Sequence, residues 1–130
     1  MDANEFSVLR KHLKKTQKEI AQLLGTSLKA IHSYEQGWRN IPPGVERQML
    51  FLLANRRGNK IPRKSCWVVN NCPPKHKEKC PAWEFQCGKM CWFVSGTICG
   101  GEPEENWESK MKRCRACDIL KEIIETVESE

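Results

Sequence analysis

The chain has 130 residues, 39% of them hydrophobic, and a net charge of +6. That length allows one domain or two small ones, neither able to bury a large core by itself. No apolar run approaches the roughly 18 residues that a membrane span requires, so no membrane partner is expected. The charge is unevenly placed: residues 1–65 hold 13 Lys and Arg against 5 Asp and Glu, whereas residues 66–130 hold 9 against 11. Only the first half has the excess of positive charge that attracts a polyanion. All eight cysteines fall in the second half.

In chain order, the first predicted element is a helix over Asn4 to Lys14, with Phe6, Leu9 and Leu13 at helical spacing and Arg10, Lys11, Lys14 and Lys15 on the other side. A second helix starts after Thr16 as cap, and a third after Ser27. Between them, Gly25 can take the left-handed conformation that a tight turn needs, and Ala21 is small where the two helices cross. Ile20, Leu24, Ile31 and Tyr34 supply the apolar face. This is the register of a helix-turn-helix, which points to double-stranded DNA as partner. Pro42-Pro43-Gly44 opens a further helix through Val45, Met49, Leu50, Leu52 and Leu53, because proline is tolerated where its missing N–H is not needed. Residues 57–65 are charged, with Gly and Pro, and read as a linker.

Residues 66–101 lack apolar periodicity and are rich in Cys, Trp, Pro, Gly and Lys, so they need cross-links to hold a fold. Cys66-Trp67 and Cys91-Trp92 form a faint internal repeat. From Trp107 to Val127 the pattern predicts one long helix, on which Cys114 and Cys117 face the same way at i and i+3. Ile119, Leu120, Ile123, Ile124 and Val127 continue its apolar stripe over residues 107–128, the best candidate in the sequence for a dimerisation element, with packing on its own chain as the equal alternative.

Met1-Asp-Ala-Asn-Glu is polar and acidic, so no targeting segment is expected and the chain is expected to be cytoplasmic. A reducing compartment disfavours disulfides and turns attention to metal binding. The candidate ligands are Cys66, Cys72, Cys80, Cys87, Cys91, Cys99, Cys114 and Cys117. Structural zinc sites usually draw on Cys-x-x-Cys knuckles, and only Cys114 to Cys117 forms one. Iron–sulfur clusters tolerate wider spacing, so they are slightly favoured, with zinc close behind and disulfides or free thiols third. Which four cysteines go together is left open. His76, among lysines, reads as a solvated surface residue, with ligation in place of one thiol as the lesser alternative.

The residues Glu35-Gln36-Gly37-Trp38-Arg39-Asn40-Ile41-Pro42, following the Thr16–Gly37 stretch, resemble the end of the recognition helix and the Gly-x-Arg-x-x-Pro loop of the Cro and lambda-repressor family. The resemblance covers roughly residues 4 to 56. It implies that the recognition helix enters the major groove, with Leu28, Lys29 and Ser33 at base edges and Ser27 at its start. Lys29 suits guanine O6 and N7, and Leu28 suits a thymine methyl or else packs on the fold. The resemblance also implies that Gln17 reaches the backbone and the first base pair, that Arg39 and Asn40 hold phosphates, and that Arg10 pairs with Glu35. Family members read two half-sites as dimers, so a homodimer is expected. Residues 66–118 resemble a bacterial module known as the two-CW domain, whose presumed role is metal binding.

The expected fold is mainly α: an N-terminal four- or five-helix DNA-binding domain over residues 1–56, then a small irregular cysteine-rich, metal-stabilised domain over 66–118 that ends in the long helix. The expected function is a sequence-specific transcriptional regulator with a cysteine-ligated metal or iron–sulfur sensor or scaffold. The alternatives are a redox or electron-transfer protein that uses the helix-turn-helix for docking, and a zinc-stabilised protein-interaction adaptor. No Ser-His-Asp order, phosphate loop or HExxH is present, so neither enzymatic activity nor a small-molecule substrate is expected.

Overall fold

The computed structural model describes residues 1–56, 64–99 and 101–128. It is mainly helical, with no strand among the described residues, and divides into two compact units, Met1–Arg57 and Gly58–Glu130. Most of the expected linker, residues 57–63, lies outside the described residues. Among the described residues no helix is long and apolar enough to cross a membrane.

In the first unit, α1 (Ala3–His12) is capped by Asp2, whose carboxylate accepts from the Glu5 N–H at 2.7 Å. It ends two residues before the expected Lys14. The Leu13 N–H closes the last turn on the Leu9 carbonyl, and Lys14 adopts a φ of 59°, outside helical space. α2 (Gln17–Leu24) starts with a reciprocal capping box: the Thr16 hydroxyl accepts from the Glu19 N–H, and the Glu19 carboxylate accepts from the Thr16 N–H. Gly25 ends it at φ 66°, and nothing within 4 Å would meet a Cβ there, so glycine is required for its conformation and not for space. α3 (Leu28–Gln36) follows at once, capped by Ser27, whose hydroxyl accepts from the Ala30 N–H at 3.0 Å, and stops at Gly37. α4 (Pro43–Arg56) begins on proline and closes the unit. Phe6, Ile20, Ile31, Met49, Leu50 and Leu53 are fully buried, each contributing roughly 1.5–3 kcal/mol. Tyr34 meets the Phe6 ring edge-on, with ring centroids 6.0 Å apart.

The second unit is more ordered than its sequence pattern predicts. Short helices α5 (Cys66–Val69), α6 (Pro74–Lys79) and α7 (Pro81–Glu84) precede a 3-10 turn at Cys91–Phe93. α6 and α7 each begin on a proline, and the residue before it stays extended because proline crowds the helical conformation of its predecessor. Pro73-Pro74 and Cys80-Pro81 are thus helix starts. At Gly88 the carbonyl accepts from the Cys66 N–H at 2.8 Å, and an added Cβ would lie 2.6 Å from the Trp67 ring and 2.8 Å from the Ser65 Cβ. Gly88→Ala is therefore expected to destabilise this unit by about 1–3 kcal/mol, read as a lower denaturation midpoint. An unchanged midpoint would mean that Trp67 swings clear of the methyl group.

The expected long helix over residues 107–127 is two helices. α8 (Trp107–Ala116) is capped by Asn106, and α9 (Asp118–Glu128) begins after a break at Cys117, whose φ of −81° and ψ of 139° are extended. The Cys117 N–H closes the final turn of α8 on the Arg113 and Cys114 carbonyls, and the chain then turns. The break lets α9 fold back against α8 and α5, which buries Ile119, Leu120 and Ile123 almost completely. Three residues of the stripe read as a dimerisation element thus serve the chain's own core, around fully buried Trp92.

Candidate functional site

The first candidate site is the outer face of α3. Leu28 and Lys29 stand exposed in its first turn, and Leu28 is 50% accessible, so it does not pack on the fold. Ser27 caps the helix and is also exposed. Ser33 departs from expectation: it is buried, and its carbonyl accepts from the Trp38 and Arg39 N–H groups as the chain turns at Gly37. The side chain that α3 offers to solvent one turn after Lys29 is His32, whose ring meets Trp38 edge-on at 5.5 Å. The sequence reading missed His32 and Trp38. The signal was available for His32, which lies at i+3 from exposed Lys29 and so shares its helix face.

Arg39 and Asn40 are exposed beyond the helix, and the Arg39 guanidinium lies over the Tyr34 ring, 5.4 Å from its centroid. Arg10 and Glu35 form the expected ion pair, Nε donating to Oε1 and Nη2 to Oε2. Gln17 joins them: its Nε2 donates to Glu35 Oε2 at 2.9 Å. Burial alone would raise the Glu35 carboxyl, but the hydrogen bonds from Arg10 and Gln17 outweigh it and hold its pKa below the ordinary value. The start of α2 is thereby tied to the end of α3.

The second candidate site is built from cysteines, all eight of them free of disulfides. Cys91, Cys99, Cys114 and Cys117 line one cavity of about 540 Å³, together with Trp92, Ile119 and Leu120. Two come from the two ends of the α8 break region, one from the 3-10 turn, and Cys99 from the loop after it. The Asn70 amide donates to the Cys117 sulfur at 3.5 Å. Cys66 and Cys91, the two Cys-Trp starts, share a hydrogen bond that lowers the Cys66 pKa and raises that of Cys91. Desolvation and the charges of Cys114 and Cys66 push Cys99 up to about 11; the residue is open to solvent, but its sulfur faces the other thiols. Burial likewise raises Cys72, Cys87 and Cys114. Cys72 and Cys87 feel Cys66 and Cys80 as neighbours, and Cys66, through its hydrogen bond to Cys91, joins these thiols to the four around the cavity.

Two further groups complete this centre. Lys110 is buried, its ammonium donating to the Thr97 hydroxyl at 2.6 Å and hydrogen-bonded to Cys114. Burying an ammonium group is costly without an anion beside it. The Trp92 indole N–H is buried with no hydrogen-bond partner among the described residues, a cost of about 1–3 kcal/mol unless something accepts it. Among the described residues no group of three or more His, Cys, Asp or Glu side chains is drawn together tightly enough to hold a single ion. Comparison with protein-family models, with curated proteins and with solved structures found no match.

Proposed function

We propose that the chain is a sequence-specific DNA-binding regulator, with α2 and α3 as a helix-turn-helix and a cysteine module that takes a metal or an iron–sulfur cluster. The observation that carries the reading is the outer face of α3. It presents Leu28, Lys29 and His32 to solvent, flanked by exposed Arg39 and Asn40, on a helix pair whose angle is set by Gly25 and locked by Arg10, Gln17 and Glu35. A convex helix with a cation and an apolar side chain at its start suits base edges in a major groove, and the flanking loop suits phosphates. The positive half of the chain supplies the sequence-independent attraction. In the second unit, thiols gathered around a cavity beside a buried ammonium suit a thiolate-ligated, negatively charged centre. Reading two half-sites calls for two copies of the chain.

The test is a comparison of Lys29→Ala with Arg39→Ala on a set of operator variants obtained by selection from random duplexes. Lys29→Ala is expected to relax preference at one position of each half-site by about 1–3 kcal/mol. Arg39→Ala is expected to weaken all sequences alike and to reduce the salt slope by about one. Equal, sequence-independent losses in both variants, or binding that is insensitive to salt, would remove α3 from the groove.

A further inference from the structure

We infer that Cys91, Cys99, Cys114 and Cys117 together hold one iron–sulfur cluster in the cavity they line, and that the Trp92 indole N–H donates a hydrogen bond to one of its sulfurs. The inference rests on the metal-binding part of the proposed function and names the four ligands, the class of cofactor and a positioning residue. Four thiols around one void are the donor set for a four-thiolate centre. A lone zinc ion would require all four sulfurs within about 2.3 Å of a single point, and the side chains here stand around a roomy cavity instead. That arrangement leaves space for iron and inorganic sulfide between the thiolates.

Three independent features suit the same occupant. Trp92 is fully buried, lines the cavity and carries an N–H donor that no described protein group accepts; sulfide or thiolate sulfur is an acceptor of the right kind. Lys110, buried and in contact with Cys114, places a positive charge beside a centre that four thiolates make anionic. Lys112 is exposed, lines the same cavity and extends that charge to its rim, where Arg113 is paired with Glu104 at 2.6 Å. The break at Cys117 also gains a reason. In one continuous helix the residues after Cys117 would run on along the α8 axis, whereas the extended Cys117 turns the chain so that Ile119 and Leu120 of α9 wall the cavity that Cys114 and Cys117 line.

The experiment uses the full chain, purified without air and reconstituted with ferric iron, sulfide and a thiol reductant that reduces part of the iron. Iron, sulfide and zinc are quantified, and the cluster is followed by its visible absorption and by the paramagnetic signal of its reduced form. Cys99→Ser and Cys114→Ser are each expected to abolish that signal, and Cys72→Ser, outside the cavity, to retain it. Trp92→Phe keeps an aromatic ring in the core and is expected to bind the same iron and sulfide, with its midpoint potential shifted to more negative values. The reason is that an N–H donor to sulfur favours the reduced, more negative state. A signal that survives the Cys99→Ser, Cys114→Ser double variant overturns the ligand assignment, and an unshifted potential in Trp92→Phe overturns the role of the indole. Stoichiometric zinc with no sulfide overturns the cluster and leaves the metal module of the proposed function standing. Binding of neither metal overturns both.

Discussion

Replacing Glu35 with alanine is expected to lower the stability of the N-terminal unit by about 3 kcal/mol, a cost typical of breaking a buried ion pair from one side. The argument is geometric. Arg10 reaches Glu35 through two nitrogens, Gln17 donates to the same carboxylate at 2.9 Å, and the third guanidinium contact is the Lys15 carbonyl at 2.8 Å. The two charged side chains are 13% and 9% exposed, so water cannot replace a lost partner freely. Removing the carboxylate leaves a guanidinium and an amide without their acceptor. The pH dependence follows from the lowered Glu35 pKa. A carboxyl whose folded pKa is depressed contributes stability that is present above its unfolded value, 4.5, and is lost as pH falls through the folded value. Denaturant titrations of wild type and Glu35→Ala should therefore differ most near neutral pH and converge as the pH drops below the ordinary carboxylate range. A gap that stays constant into acid would show that the loss comes from packing and not from the charge. On the proposed function, the same variant should also weaken operator binding, because Glu35 ties Gln17 at the start of α2 to the end of α3.

What could be read from the sequence in this unit was local chemistry. Thr16 with Glu19, Gly25 and Ser27 declare a helix start, a left-handed turn and a second start within a dozen residues, and each works through its own backbone neighbours. Ser33 was misplaced because its burial depends on where the Gly37 turn sends Trp38 and Arg39, a contact that helical spacing alone does not specify. In the second unit the failures share one cause. α5, α6 and α7 are 4, 6 and 4 residues long, too short for any periodicity to accumulate, although prolines 74 and 81 do mark two of the starts. The break at Cys117 is invisible to a periodic reading because the apolar stripe continues through it; only the long-range packing of α9 on α5 requires the turn. Lys110 reads as one more charge on a polar helix, and its burial beside Thr97 and Cys114 appears only when the loop carrying Thr97 is in place. The cysteines were legible as a set, whereas which of them line one cavity was not.

On the proposed function, stripping the bound metal or cluster is expected to unfold most of the second unit, the largest effect foreseen for this chain. A structural thiolate centre contributes on the order of 10 kcal/mol to the folded state, comparable to the entire stability of a small domain. The unit has a core of its own in Trp92, Met111, Ile119, Leu120 and Ile123, but that core is drawn from segments that the cysteines bring together: the 3-10 turn holds Cys91 beside Trp92, and Cys114 and Cys117 flank the approach to α9. Without the centre, Lys110 keeps a buried ammonium whose neighbouring sulfurs are largely neutral thiols, since burial raises Cys114 and Cys99 above the usual thiol range. The Trp92 N–H is then left without an acceptor as well. Both penalties add to the lost metal–sulfur bonds. Limited proteolysis with and without a chelator gives the measurement: cleavage after the lysines and arginines of α8 should accelerate by orders of magnitude on chelation, while α1 to α4 keep their protection. Equal resistance of α8 in the chelated and loaded protein would mean that the apolar core alone holds the unit, and that the thiols are available for exchange chemistry instead.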